Sequence, residues 1–586
     1  MKRHSAFLTL LLFLITFSFL QGFNSYHFYY IEQFQLFLTT KLYFIQSISH
    51  PGGLIEYFSI FLVQFFIVPT LGALIEALTF TLIFIFTSAL LKRLARTTIF
   101  FIAPSTVYLF CLFNCLSNVY FFFQGVISFL LCICCLLIFA SKGKSTIKNI
   151  SVFLFIPVLY WIAGSVSVLF AVCVALIELF RDGRVKLKSF YWLLLPVFAL
   201  FISWLAVRYS FSGDLRMSLL PDMYYQPLSK PKLLTYIPWI LLIIWITIAP
   251  LYGKIKVLRK TNYLLAGIQT LLIILLIWKG IEKYGDRNFY EIKKMDYFAR
   301  KGQWNRIIDE SRDGNIHNFL LLNYVNLALA QKGCLCSNMF NFPQNGIEGL
   351  IISSKRELLL TPFLSDINFC VGNIALSQKF AFEGNEGCSG LGSGRLLKRL
   401  VQTNLIYGEY AIADKYIRTL EHTFFYHKWA VDQRRFLYND SLCMKDPVLS
   451  EKSKYLPAQG GRDFAINFLQ TIKRLTEINP SNRAAQEYLL ASYLLLRDLD
   501  SFSDLLYEYD KKGMITAPLP FIFQQALLIE YELHPEKSKI KGITVKAARL
   551  LKSYKLLYRN NCKSNNIKEI MRKQFGSTYL FYFMKS

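Results

Sequence analysis

The chain has 586 residues and a formal net charge of +27 at neutral pH. Hydrophobic residues make up 54% of it and the mean hydropathy is +0.36, which excludes an ordinary soluble protein unless a bilayer covers part of the apolar surface. The excess of Lys and Arg does not point to nucleic acid, because in the first half it falls in short clusters between apolar runs, the pattern of loops between spans.

The N-terminus reads Met1-Lys2-Arg3-His4 before an apolar run from Ala6 to Leu20. A charged start and an apolar centre fit a signal peptide. No small-residue cleavage site follows, so the run reads as a retained first span. Further apolar runs predict spans near 71–91, 98–114, 120–140, 150–163, 165–180, 190–208, 233–251 and 262–279, making about nine with the first. The runs 150–163 and 165–180 divide near Gly164 and read as a tight hairpin.

Basic clusters orient these spans. They are Lys2-Arg3, Lys92-Arg93 with Arg96, then Lys142, Lys144 and Lys148, then Arg181, Arg184, Lys186 and Lys188, and lastly Lys254, Lys256, Arg259 and Lys260. With the hairpin counted as two spans, every cluster lies on one side, which the positive-inside rule makes cytoplasmic. The expected topology is a multi-pass protein of the inner (plasma) membrane with a cytoplasmic N-terminus. Everything beyond Lys279 is then extracytoplasmic.

From Ile281 onward polar and apolar residues alternate with helical periods. Helices are expected over Tyr290–Ser311, Asn318–Gln331 and Leu396–Glu421. In the last, either one helix ends near Gly408 and another begins, or a single helix carries an internal glycine. A further pair flanks Asn479-Pro480-Ser481, and Phe502–Tyr509 and Leu519–Tyr531 continue the pattern. The expected fold class is therefore all-α. Residues 1–280 form a polytopic transmembrane bundle, and residues 281–586 a soluble, tetratricopeptide-like helical-repeat domain. Of the twelve cysteines, six lie in the polar half, an even number that permits disulfides outside the cytoplasm.

The stretch from Asn24 to Thr70 forms the first outer loop. Over residues 26–46 the polar residues Glu32, Gln35, Thr39 and Gln46 recur at offsets of 3, 7 and 14, which predicts an interfacial helix with its polar face in water. His50-Pro51-Gly52-Gly53 breaks that helix. Leu54–Val68 follows, too short to span comfortably, and Pro69 opens the next span. This order resembles the start of the polytopic GT-C glycosyltransferases. The residues that carry the resemblance are Tyr30-Ile31-Glu32-Gln33-Phe34, His50-Pro51-Gly52-Gly53 and the span ending Leu90-Leu91-Lys92-Arg93-Leu94. The resemblance covers roughly the first hundred residues and the overall layout. It implies a polyprenyl-linked sugar donor, an acidic residue of the first outer loop near the active centre, and a soluble domain after the last span.

Glu32 is then the expected catalytic base, since inverting glycosyl transfer wants a carboxylate beside the acceptor hydroxyl. Glu56 is the second candidate. Asp214, Arg216 and Asp222, in the loop 209–232, are candidate contacts to a phosphate-bearing substrate. No metal and no cofactor are expected. Cys334-Leu335-Cys336 lacks a zinc-like partner spacing, His422 and His427 are five residues apart, and the glycine-rich loop from Gly387 to Arg395 lacks the P-loop ending. Carboxylates within the spans are scarce, with Glu76 and Glu178 the exceptions. Two functions follow as expectations. One is a GT-C-like transferase, or a degenerate relative, acting on a lipid-linked sugar at the outer face. The other is a non-enzymatic envelope scaffold whose repeats dock a protein partner. A flippase is a weaker third.

Overall fold

Without water to satisfy the backbone, long apolar runs close their hydrogen bonds only by coiling. The computed structural model is helical accordingly. It describes residues 2–95, 121–141, 146–180, 187–210, 214–222, 233–252, 287–312, 318–352, 360–456, 468–512, 519–536, 542–564 and 566–584, with a few single positions between. Within these, Gln35–Leu36 and Ser389–Gly390 are the only extended segments assigned as strand. The chain divides into two units, Met1–Arg287 with His422–Phe425, and Asn288–Glu421 with Tyr426–Ser586.

The first unit begins with α1 (Lys2–Phe23), α2 (Ser25–Glu32), α3 (Lys41–Ile48) and α4 (Gly53–Val63), the last continued by a 3-10 turn over Gln64–Ile67. Then come α5 (Pro69–Ala95), α6 (Phe123–Ser141), α7 (Thr146–Ala163), α8 (Val166–Leu179), α9 (Leu194–Ser210), α10 (Leu215–Ser218) and α11 (Leu233–Tyr252). Helix α5 packs on α1, α6 and α11, and α8 packs on α6, α7, α9 and α11. One apolar core joins them through Phe80 and Ile83 of α5, Phe129 and Ile133 of α6, Phe170 of α8 and Leu242 of α11. The outward faces are also apolar. Leu154, Val158 and Trp161 lie bare along α7, and Leu200, Phe201 and Trp204 along α9, a surface suited to lipid.

Three helices among the described residues are long and apolar enough to cross a membrane: Pro69–Ala95, Phe123–Ala140 and Ser189–Tyr209. A fourth results if Thr9–Phe23 and Ser25–Glu32, bent by 71° at their junction, count as one broken span. Of the nine expected spans, those near 71–91, 120–140 and 190–208 fall on these helices. The runs at 98–114 and 262–279 lie outside the described residues. Ile150–Ala163, Val166–Leu179 and Thr235–Pro250 are apolar but short. At about 1.5 Å per residue, a fourteen-residue helix such as α8 covers only about 21 Å of a hydrocarbon layer about 30 Å thick. Gly164, at φ +66, turns the chain between α7 and α8, which pack on each other.

The loop 24–70 also departs from expectation. There is no single helix over 26–46. Helix α2 ends at Glu32, Gln35–Leu36 is extended, and Thr40 caps a new start at α3 by accepting from the Tyr43 amide. Glu32 and Gln35 are buried, at 5% and 4% exposure, while Thr39 and Gln46 are exposed, so the expected wet stripe is split between inside and outside. Helix α2 seats Phe28 against Gly72 of α5, where any Cβ would come within 2.7 Å of the ring.

In the second unit, α12 (Arg287–Arg300) and α13 (Trp304–Glu310) replace the one helix expected over 290–311, because Gly302 at φ +65 breaks it. Next are α14 (Phe319–Gln331), the single turn α15 (Leu335–Asn338), α16 (Thr361–Val371), α17 (Ile374–Gly387), α18 (Gly394–Tyr407) and α19 (Tyr410–Glu421). Gly408 ends α18 in the left-handed conformation at φ +73, which settles the alternative left open by the sequence. The short helices α20 (His427–Gln433), α21 (Asp440–Cys443) and α22 (Pro447–Ser453) lead to α23 (Phe468–Ile478), α24 (Arg483–Leu496), α25 (Leu499–Lys511), α26 (Phe521–Leu533) and α27 (Val545–Asn561). Consecutive helices pack together through α16–α17–α18–α19 and again through α23–α24–α25–α26–α27. Starts are capped by side chains: Asn318, Asn373, Ser393, Asn482, Asp498 and Thr544 each accept a first-turn amide. The expected scope for disulfides is not used, since Cys334, Cys336, Cys370, Cys388, Cys443 and Cys562 are all free. Four of them are buried, and Cys336, Cys388 and Cys443 donate to backbone carbonyls.

An ion network ties four of these helices. Arg395 of α18 bonds Asp296 of α12 at 2.9 Å and Asp366 of α16 at 2.5 Å, and Arg399 bonds Asp366 at 2.8 Å. Tyr324 of α14 donates to Asp296 at 3.0 Å. Burial pushes the Asp366 carboxyl up, but the two guanidiniums outweigh it and hold it below its ordinary value. Removing one partner leaves a buried charge uncompensated. Arg395→Met should therefore cost about 3–5 kcal/mol in urea unfolding of the purified chain, whereas Lys555→Ala, which removes an exposed pair with Glu532, should cost under about 1 kcal/mol. Because the folded Asp366 value is depressed, its contribution is complete above about pH 4 and is lost as pH falls through the lowered value. Asp366→Asn should abolish that part of the acid sensitivity.

Candidate functional site

The break between α3 and α4 is a built turn. Gly52 takes φ +79, a conformation that favours glycine, and a Cβ on Gly53 would stand 1.7 Å from the Ser47 carbonyl oxygen. Both glycines are therefore required by the path of the chain. The turn is then fixed from outside the loop. The Gly52 amide donates to the Trp161 carbonyl at 2.9 Å, the Trp161 indole donates to the Ile48 carbonyl at 3.1 Å, and Gln124 Nε2 donates to the Gly52 carbonyl at 3.4 Å. The C-terminal end of α7 and the start of α6 thus hold it on either side.

This turn aims two side chains at one another. His50 precedes it and Glu56 lies in the first turn of α4, where the helix dipole favours a carboxylate. His50 Nε2 and Glu56 Oε2 are 2.8 Å apart, and the side chains are 26% and 13% exposed. The hydrogen bond to Glu56 raises the His50 pKa above its ordinary value. Burial opposes this, and a hydrogen bond to the Gln46 backbone adds to it. An imidazolium is favoured there, and it bonds the carboxylate through Oε2. Around the pair stands an aromatic wall: Tyr43 and Tyr57 at 5.6 Å between centroids, Phe37 and Tyr57 at 5.0 Å, and Phe44 and Tyr57 at 5.1 Å. Burial, with the charge of Glu56 adding to it, pushes the Tyr43 phenol up. Beside the wall the surface is apolar and open, with Leu42 and Ile45 on α3, Leu54 and Phe58 on α4, and Trp161 on α7.

Asp222 approaches the same helix start. Gly125, next to Gln124, admits the backbone of Pro221 and Asp222, and its Cβ would lie 2.8 Å from Asp222 Cα. Ser165 donates to the Leu220 carbonyl at 2.6 Å and fixes that segment against α8. Asp222 is 4% exposed. The beginning of α6 therefore receives both the His50–Gly52 turn and the Asp222 segment. Asp214 and Arg216 do not join them. Both are exposed, and Asp214 caps α10 by accepting from the Arg216 amide at 3.0 Å.

Glu32, at the last position of α2, is buried, as are Asn24, His27, Gln33 and Gln35 nearby in the chain. Glu76, one turn after Gly72 on α5, is 1% exposed, and its Oε2 has no hydrogen-bond partner. Sequence reasoning passed over His50 as a partner and missed Gln124 and Trp161 altogether. His50 could have been paired from its spacing to a residue in the next helical turn. Nothing local marks Gln124 or Trp161, whose role arises from contacts across more than seventy positions.

The first unit is thus a helical assembly with apolar helices of membrane-spanning length and a polar centre at its first loop. The chain belongs to DUF6057, described as a family of unknown function, whose family model matches residues 1–586. No curated protein and no solved structure matches it.

The raised His50 value sets a pH signature. The pair's stabilisation is complete below the ordinary histidine value of about 6.5 and is lost as pH rises through the folded value. His50→Ala should lower the thermal midpoint at about pH 6, by up to about 1 kcal/mol in stability, and match the wild type near pH 9.

Proposed function

We propose that the chain is a GT-C-like membrane glycosyltransferase, or a close derivative of one, and that its chemistry belongs to Glu56 held by His50. The 2.8 Å pair in a clamped outer-loop turn is the observation that carries the reading. The proposed placement is an inner-membrane protein with a cytoplasmic N-terminus and its outer loop and second unit extracytoplasmic. A polyprenyl-phosphate sugar would reach the pair along the apolar surface of α3, α4 and α7, its chain in the bilayer. Glu56 Oε1 would take the proton of the acceptor hydroxyl as that oxygen bonds the anomeric carbon. The bond from that carbon to the phosphate oxygen breaks, and the lipid phosphate departs with its electron pair. Neither metal nor cofactor enters this scheme. Glu32, the first choice from sequence, is set back in favour of Glu56 because it is 5% exposed.

A second reading assigns the second unit a docking role. Its successive helix pairs support a tetratricopeptide-like solenoid with a protein partner on its surface. The two readings separate in one assay of envelope glycan or of lipid-linked sugar turnover. Glu56→Gln should reduce transfer by at least about a hundredfold at normal protein level, with Glu32→Gln far milder. Full activity in Glu56→Gln would remove the catalytic assignment. A partner lost on deleting 288–586, with transfer absent throughout, would favour docking.

A further inference from the structure

We infer that Asp500, Glu530 and His534 of the second unit form a binding site for a divalent transition-metal ion of the zinc type. The three come from two packed helices. Asp500 is the second residue of α25, Glu530 lies in the last turn of α26, and His534 follows it by four residues at the cap of α26. That spacing puts Glu530 and His534 on one helix face. One ligand atom from each lies within 4.8 Å of the other two. Around tetrahedral zinc, with bonds of about 2.0–2.1 Å, ligand atoms stand roughly 3.3 Å apart, so closure needs side-chain movement of about an ångström.

A second contact orients the imidazole. His534 Nδ1 faces Glu536 Oε1 at 3.3 Å, and Nε2 faces Asp500 Oδ1 at 3.9 Å. A carboxylate on one ring nitrogen fixes the tautomer and aims the other nitrogen at a metal, the usual support of a metal-binding histidine. Here Glu536 supplies that carboxylate and Nε2 is turned toward Asp500. The donor set of one imidazole nitrogen and two carboxylate oxygens matches zinc better than magnesium, which prefers oxygen and bound water. Glu530 is 1% exposed, so the ion would draw a buried carboxylate, an exposed one and a half-exposed imidazole together. With two acids as ligands, the ion would be a clamp between α25 and α26 and would leave a fourth position for water.

The test uses the full chain, purified in detergent and stripped with a chelator, titrated with Zn²⁺ and separately with Mg²⁺. The expected result is one zinc bound per chain, a rise in melting temperature with zinc, and a much weaker response to magnesium. His534→Ala and Asp500→Asn should each weaken zinc binding at least tenfold while melting like the wild type without metal, since those side chains are 41% and 66% exposed. Glu530→Gln should do the same if it folds, and the two exposed variants decide if it does not. Cys562→Ser, which removes an exposed thiol, should leave the zinc response intact. Zinc binding unchanged in His534→Ala and Asp500→Asn, or abolished by Cys562→Ser alone, would overturn the assignment, as would equal binding of magnesium.

Discussion

Everything proposed for the first unit hangs on the backbone clamp at Gly52. Its amide and carbonyl are both taken by groups from distant helices, the Trp161 carbonyl at 2.9 Å and the Gln124 amide at 3.4 Å. A loop whose polar backbone is satisfied by helix ends behaves as part of the scaffold. That hold fixes the geometry of the short bond between His50 and Glu56, on which the role proposed for Glu56 depends. The same clamp brings the loop to the start of α6, where the Asp222 segment also packs.

Polar burial in this unit is concentrated. Glu32, Glu76 and Asp222 are all at or below 5% exposure, in a unit whose core and outer face are both apolar. Withdrawing carboxylates from water costs free energy that packing alone does not return. Of the three, Glu76 lies on a helix long enough to cross a membrane, where such groups are kept mostly for function. The second unit differs in kind. There Arg395 and Arg399 are matched against Asp296 and Asp366, and the pairs fasten helices.

Legibility in the sequence followed the range of the interactions. Local chemistry read well. Gly408, Asn318 and the Asn479-Pro480-Ser481 stop act within a few residues, and the helix ends fall at them. The all-α class and the short apolar helix after His50-Pro51-Gly52-Gly53 were readable for the same reason. The polar stripe through Glu32 and Gln35 was misread because the helical template ran through a segment that extends at Gln35–Leu36. Apolar runs such as 165–180 form helices shorter than a span in the described residues, and hydropathy registers burial in protein and in lipid alike. The site was half readable. Glu56 and Asp222 were on the candidate list, but the indole and amide that frame them come from α7 and the start of α6, and sequence spacing carries no trace of such contacts. Asp214 and Arg216, candidates with Asp222, lie apart from the turn, and the Asp214 side chain accepts from the Arg216 amide as a helix cap.

Amide hydrogen exchange across residues 48–56, measured by mass spectrometry on the full chain in detergent, tests the clamp most directly. The account predicts that the Gly52 and Glu56 amides exchange as slowly as those in the body of α4, and that Gln124→Ala speeds the turn without touching α5. Exchange of the turn at the rate of an open loop would contradict it and would leave Glu56 with no fixed geometry from which to act.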